Sequence, residues 1–429
     1  MIEKQKFSFG KTFLLGFGFF AVMVAWSVYN AFVPLFLANR FYLDPATIGF
    51  FMTLDNIAAL LLQPAIGSLS DRTRTKIGRR LPFMLTGAPI AALAFFLAPM
   101  VAIPMLNVAE AARLPLFVTC TITFMLSMAI WRTPVVALMP DVTPSKFRSQ
   151  ANGVINFMGG IGSIIAFLAG SKLYDIDPAY PFWLAAILIL VGVLTVFIFI
   201  REPRIYEENP NLEKPNLWKS LRQIFHEKQH NAIRIFFAIF FWFVAMNAIE
   251  SFITLYANHS LGLSESRSVN LMTLNSLAFV LMALPAGLIG GTIGRKRTIS
   301  LGLIVMIIVM TSIFFIPKTT LVQDVFSLPI LGTVPVVGLM LIVAGLGWAL
   351  ININSLPMVV DLTDAVQIGT FTGLYYLFST LAAIAGPNIN GWIVKLTNDN
   401  YASIFIIGPI FMLAALLMIL TMKETKPQA

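Results

Sequence analysis

Met52-Thr53-Leu54-Asp55-Asn56-Ile57-Ala58 returns 220 residues later as Met272-Thr273-Leu274-Asn275-Ser276-Leu277-Ala278, and the same offset relates landmarks far from both. Phe32 pairs with Phe252, Gly67 with Gly287, Asp141-Val142-Thr143 with Asp361-Leu362-Thr363, and Gly153 with Gly373. One register shared by so many separated positions in a 429-residue chain reads as an internal duplication. Fused membrane halves related by a repeat are how many transporters are built, with substrate held near the bilayer midplane.

Composition supports a membrane reading. The chain is 58% hydrophobic and 11% charged, with a mean hydropathy of +0.84, whereas a soluble domain carries about 25% charged residues. Twelve apolar runs are long enough to cross a hydrocarbon core of about 30 Å. They fall at 12–36, 47–69, 82–105, 115–139, 150–171 and 181–200, then at 234–258, 268–290, 299–317, 334–359, 369–394 and 402–422. The fold class expected is therefore all-α, with two six-helix bundles at 1–200 and 232–429 joined by a polar linker at 201–231. Pro203, Pro210 and Pro215 punctuate that linker, and Leu217, Leu221 and Phe225 sit at helical spacing near its end, as in a helix lying on a membrane surface. Gly153, Gly159, Gly160, Gly162, Ser163 and Gly170 give span five a face of small residues suited to close helix packing.

The net charge of +9 is distributed by loop. Lys4, Lys6, Lys11, Arg72, Arg74, Lys76, Arg79, Arg80, Arg295, Lys296 and Arg297 fall on the side of the N-terminus, whereas Arg40, Arg113, Lys172, Arg267, Lys318 and Lys395 are the cations of the other side. Basic residues gather in cytoplasmic loops, so the expected topology places both termini inside. The basic balance then reports orientation and contact with anionic lipid, and no nucleic-acid partner is expected. Cys120 is the single cysteine, so neither a disulfide nor a thiolate metal cluster is available. The first apolar run is too long for a cleaved signal peptide, and the expected location is a plasma membrane, a bacterial inner membrane in particular.

The loop after span two reads Gln63-Pro64-Ala65-Ile66-Gly67-Ser68-Leu69-Ser70-Asp71-Arg72 and then Gly78-Arg79-Arg80-Leu81-Pro82-Phe83. Its duplicate after span eight is Gly290-Gly291-Thr292-Ile293-Gly294-Arg295-Lys296-Arg297. Glycines permit tight turns, and the Asp71 carboxylate is suited to bonding exposed backbone N–H groups or an arginine. Topogenic charge alone explains the basic residues but not the spacing of glycine and aspartate. A second constellation is Arg132-Thr133-Pro134-Val135-Val136-Ala137-Leu138-Met139-Pro140-Asp141, followed by Arg148-Ser149-Gln150-Ala151-Asn152.

These motifs resemble those of the major facilitator superfamily. A Gly-x-x-x-Asp-Arg turn followed by Gly-Arg-Arg is similar to its signature loop, expanded here by Thr73 to Ile77. The expanded form, with Gln-Pro before it and Pro-Phe after it, resembles the proton-coupled sucrose transporters, which are allied to the glycoside–pentoside–hexuronide cation symporters. The topology match covers the whole chain, and the specific motifs cover residues 52–83 and 132–153. The resemblance implies a cytoplasmic gate built from Gly67, Asp71, Arg72, Gly78, Arg79, Arg80, Asp141 and Arg148, with Gly294, Arg295 and Asp361 as second-half counterparts. Two departures stand out. Melibiose-type symporters carry an aspartate where this chain has Gln63, which disfavours sodium coupling, and residues 121–131 lack the acid that plant sucrose carriers place upstream of the span-four arginine.

Asp55, Arg132 and Glu250 are the charged side chains well inside spans. Each costs at least about 2.5 kcal/mol at the membrane centre and is a functional candidate by default. No histidine falls in a span, so the expected proton carriers are Asp55 and Glu250. A static ion pair, with either acid locking Arg132, is the structural alternative. Polar stripes surround these charges: Trp26 and Asn30 on span one, Asn56 and Gln63 on span two, Asn152 and Asn156 on span five, and Asn247, Glu250 and Thr254 on span seven. Trp348 and Asn352 continue the set on span ten, and Thr372, Tyr375, Tyr376 and Ser379 on span eleven. Hydroxyl-rich ligands need acid, amide and arginine partners with aromatic faces, so Asn30, Asn56, Gln63, Arg132, Asn152, Asn156, Asn247, Glu250, Trp348, Asn352, Tyr375 and Tyr376 form the expected substrate set. Polar contacts between spans are also common for packing alone.

The expected function is secondary uptake of a small neutral sugar, a disaccharide glucoside such as sucrose or maltose, by a monomer coupled to H+ rather than Na+, with no cofactor and no metal. The alternatives are a drug or metabolite exporter of the same superfamily, a transporter-like sensor without flux, and a membrane zinc protease. The last rests on His226-Glu227-Lys228-Gln229-His230, a literal H-E-x-x-H in the linker with no domain around it.

Overall fold

The computed structural model describes residues 8–144, 147–202, 230–363 and 367–422. Hydrocarbon offers no water to bond a peptide group, so each apolar run satisfies its backbone internally as a helix. Twelve helices are long and apolar enough to cross a membrane: Phe9–Asn39, Pro45–Arg72, Leu81–Ala102, Glu110–Val142, Gln150–Tyr174, Tyr180–Phe199, His230–Ser260, Glu265–Ile293, Arg295–Phe315, Val336–Val360, Ile368–Leu396 and Tyr401–Leu420. They are referred to as spans one to twelve and coincide one for one with the expected runs, their ends shifted by a few residues. The expected surface helix at 216–225, with His226 and Glu227, lies outside the described residues.

Span two is broken where the repeated stretch begins. A seven-residue helix, Pro45–Phe51, is capped by Asp44, and the next segment runs Leu54–Arg72 after a turn at Met52 and Thr53. The Thr53 hydroxyl donates to the Phe50 carbonyl at 2.7 Å, closing that turn. Span eight stays unbroken over the duplicate stretch.

The chain forms two compact units. The first comprises Met1–Tyr42, Leu54–Glu207 and Glu265–Thr273. Its core is aromatic: Phe95 stacks on Phe124 at 4.1 Å, and Phe36 on Phe117 at 5.9 Å. Span five lies against span one through Gly162, where a Cβ would stand 2.7 Å from the Phe20 carbonyl oxygen. The start of span eight is held in this unit by Glu265, which accepts from Asn39 and from the Tyr174 hydroxyl.

The second unit comprises Leu43–Thr53, Glu208–Ser264 and Leu274–Ala429. Span seven approaches span eleven as their repeat partners approach each other in the first unit, with a Cβ on Gly386 falling 2.6 Å from the Val244 carbonyl. The short helix Pro45–Phe51 packs on span eleven through paired glycines. A Cβ on Gly49 would meet the Pro387 carbonyl at 2.3 Å, and one on Gly391 the Pro45 carbonyl at 2.4 Å. A feature without a sequence expectation sits between spans nine and ten, where β1 (Asp324–Leu328) and β2 (Gly332–Pro335) form an antiparallel hairpin.

Candidate functional site

The first unit carries the charged candidates. Span one presents Trp26 and, one turn on, Tyr29, with ring centroids 5.5 Å apart and edge to face. Phe124 from span four stacks on Tyr29 at 5.9 Å. The guanidinium carbon of Arg132 lies 5.9 Å from the Trp26 ring centroid, a cation–π arrangement that keeps the charge partly desolvated. Arg132 and the Tyr29 hydroxyl both stand within electrostatic reach of the Asp55 carboxylate, and Asn56 donates its amide to Asp55 at 2.8 Å. Three spans thus bring an acid, an arginine and three aromatic rings together. Asn30 and Gln63 are half-buried on spans one and two. Asn152 and Asn156 are exposed and bonded to each other on span five, with Nδ2 to Oδ1 at 3.0 Å.

The second unit holds a mostly uncharged counterpart. Phe243 of span seven meets the Trp348 ring edge to face at 5.5 Å and Tyr375 at 6.1 Å. Tyr375 is buried and shares a 2.9 Å hydroxyl contact with Ser355, whereas Tyr376 is exposed beside it at 5.3 Å. Asn247 donates one of its amide hydrogens to the Phe243 carbonyl at 2.7 Å, a bond within its own helix. Glu250 and Asn352 are half-buried on spans seven and ten. The repeat partner of Asp55, Asn275, bonds the Leu341 carbonyl at 3.0 Å and so serves the join of spans eight and ten.

At the basic loop the expected residues converge. Arg79 donates to both Asp141 oxygens, at 3.0 and 2.6 Å, and Arg80 adds a bond to the same carboxylate at 2.9 Å. Arg80 is buried and also reaches Asp71 and the Ser70 hydroxyl. Arg295 pairs with Asp361 at 2.6 Å, a thinner second-half version. Gly78 and Gly294 take φ of +121° and +91°, where glycine is favoured. The other expected gate residues are placed differently. Gly67 sits inside the span-two helix with ordinary space around it, so it makes no turn. Arg72 is exposed, and Arg148 bonds the nearby Pro140 carbonyl at 3.1 Å. Asp71 bonds arginine, while the backbone N–H groups go to a residue that sequence reasoning passed over. Glu202 accepts from the N–H groups of Arg79, Arg80 and Leu81 at 2.8, 3.0 and 2.7 Å, capping span three. Tyr29 was passed over as well, although its i+3 spacing from Trp26 placed it on the same face.

The described residues hold no cluster of three or more His, Cys, Asp or Glu side chains fit for a metal. The class of protein is a multi-span membrane carrier. The Major Facilitator Superfamily model matches residues 15–387 and 268–429, and the chain belongs to that family, whose members are transporters and not enzymes. It is 25% identical over 268 residues to "Multidrug resistance protein 2" of Bacillus subtilis, across 61% of this chain and 62% of that protein. It is 28% identical over 227 residues to the "General alpha-glucoside permease" of Schizosaccharomyces pombe, across 48% of this chain and 41% of that protein. The chain therefore spans less than two thirds of the length of these curated relatives. Among solved structures it resembles a mutant of the nucleoside transporter NupG, with TM-score 0.73 and 15% identity over 96% of this chain and 99% of that one. A bacterial homologue of the lysosomal transporter Spinster gives TM-score 0.69 and 13% identity over 95% of each chain. These likenesses show the fold.

Proposed function

We propose that the protein is a sugar:H+ symporter that works by alternating access in a plasma membrane, with both termini cytoplasmic and the halves 1–200 and 232–429 as its two bundles. The observation that carries this reading is the grouping of Asp55, Arg132, Trp26 and Tyr29 in one unit. A carboxylate and a planar five-donor guanidinium can divide sugar hydroxyls between them, and an aromatic face takes the C–H side of a pyranose. The Phe243, Trp348 and Tyr375 cluster supplies further such faces. The likeness to an α-glucoside permease supports a glucoside as substrate.

Export of an apolar drug is the second reading, favoured by the likeness to a multidrug resistance protein and by the same aromatic clusters. One experiment separates the two. Purified protein in liposomes is given a panel of labelled glucosides and a panel of lipophilic cations, each with and without an imposed pH gradient. Uphill sugar accumulation driven by external acid supports symport. Accumulation confined to the lipophilic cations, driven by proton antiport, overturns it.

A further inference from the structure

We infer that the hairpin between spans nine and ten is a membrane-interface anchor, its apolar tip seated among lipid headgroups and upper acyl chains. The hairpin opens on Asp324, and from there reads Val325-Phe326-Ser327-Leu328-Pro329-Ile330-Leu331-Gly332-Thr333-Val334-Pro335, with two hydroxyl side chains and no charge beyond the aspartate at its base. A strand with one buried face alternates between covered and open positions, but every residue of β1 is exposed. Val325, Phe326, Leu328 and Ile330 are 52, 41, 38 and 65% exposed. An isolated two-stranded hairpin is marginal in water, and an uncharged apolar edge is an aggregation hazard. This one needs an apolar cover that the described residues do not provide.

Lipid is the occupant that its roots select. Span nine ends at Phe315, 74% exposed at the rim of a helix fit to cross a membrane, and span ten begins at Val336 immediately after β2. The Val336 N–H donates to the Gln323 carbonyl at 3.0 Å, so the base of the hairpin is fixed to the first turn of span ten. Val334 is fully buried at that base while the tip is open. The hairpin thus continues a surface that already faces lipid, and exposed Lys318 beside its root suits a headgroup phosphate. Five strand residues reach about 17 Å, enough to lay the tip along an interfacial zone about 5–10 Å deep. Nine spans precede this loop in the chain.

The test uses the full chain with Cys120→Ser, so that single cysteines can be placed at Ile330 and, in a second variant, at Leu328. Each is labelled with an environment-sensitive fluorophore and reconstituted in phosphatidylcholine–phosphatidylglycerol vesicles. A third variant carries the label at Tyr42, which is 85% exposed in the connection after span one. The expected result is blue-shifted emission at both hairpin positions, loss of iodide quenching, and strong quenching by lipids brominated near the headgroup, with the Tyr42 label remaining open to iodide. Hairpin labels as open to iodide as the Tyr42 label overturn the inference. So does protection that disappears on dilution of the protein in lipid, because it identifies a second copy as the cover.

Discussion

The backbone of Gly78 runs directly beneath the carboxylate of Glu202. A Cβ at Gly78 would stand 2.5 Å from the carboxyl carbon, and its φ of +121° already excludes most side chains. The two residues, far apart in sequence, act as one device: the glycine clears space for a buried acceptor that caps the first turn of span three and sets the backbone of Arg79 and Arg80. Both guanidinium groups then reach Asp141.

Gly78→Ala is expected to destabilise the protein by about 1–3 kcal/mol through backbone strain and the clash. Glu202→Ala is expected to cost about 1–3 kcal/mol by leaving buried N–H donors unsatisfied. Because removing the carboxylate also opens the space at Gly78, the double variant should lose less than the sum. Thermal unfolding of the four proteins in detergent measures this, and strict additivity would show that the residues act independently.

Asp44 is expected to make stability pH-dependent. Its carboxyl is pushed down to about 2, chiefly by the Thr47 hydroxyl, which donates at 2.6 Å, with Lys395 adding a weaker pull from 3.0 Å. A depressed carboxyl stabilises the folded state above the ordinary carboxylate pKa near 4, and that contribution fades as pH falls through the folded value. The gap in unfolding temperature between wild type and Asp44→Asn should therefore be full at neutral pH and shrink as pH is lowered from about 4 toward 2. Thr47→Val should narrow that gap more than Lys395→Ala. A gap that stays constant between pH 7 and pH 3 would remove Asp44 from the account.

The number of spans, their order and the duplication are legible in the sequence because lipid enforces long apolar helices with polar connections. The convergence of Arg79, Arg80 and Asp141 is legible too, since a motif with fixed spacing brings its own geometry. Glu202 was not, because it sits at the edge of a linker whose charges look solvated, and its role depends on where span six ends against span three. Asn247 and Asn275 show the opposite limit. Both lie on plausible polar stripes, yet their amides bond the Phe243 and Leu341 carbonyls, and periodicity alone does not distinguish a lining amide from a packing one. Most of the hairpin at 324–335 falls in the connection between spans nine and ten, where strands this short carry too little alternation to be told from loop.

Arg132→Lys is expected to fold and insert but to lose most uptake. The guanidinium carbon lies 5.9 Å from the Trp26 ring centroid and the group offers a fork of donors, whereas an ammonium group is a strongly hydrated point charge. Loss of a charge-assisted bond of about 1.5–3 kcal/mol corresponds to a fall of about tenfold or more in kcat/KM. Initial uptake rates in liposomes report it, and near-normal kinetics would show that a point charge suffices.

On the proposal that Glu250 contacts substrate hydroxyls from span seven, Glu250→Gln is expected to raise KM more than it changes the pH profile. The amide keeps the shape and loses the charge-assisted acceptor. If the variant binds sugar normally and loses only proton-driven accumulation, Glu250 and Asp55 have exchanged roles.

Asp55→Asn is expected to separate exchange from accumulation. The repeat gives the two halves one scaffold, yet at this register one half carries Asp55 beside Arg132 and Asn56, and the other carries Asn275, tied to the Leu341 carbonyl. A titratable group added to one copy of a duplicated frame is placed to make the carrier's two charge states behave differently. Moving a bare carboxylate through a desolvated site is costly, and protonation removes that cost. The asparagine variant is fixed in the neutral state, so it should exchange labelled for unlabelled sugar across liposome membranes at a rate near wild type. It should also fail to concentrate sugar when external acid is imposed, because no proton need accompany the loaded carrier. Uphill accumulation by Asp55→Asn would transfer the coupling role to another group, and loss of exchange together with accumulation would make Asp55 a binding residue instead.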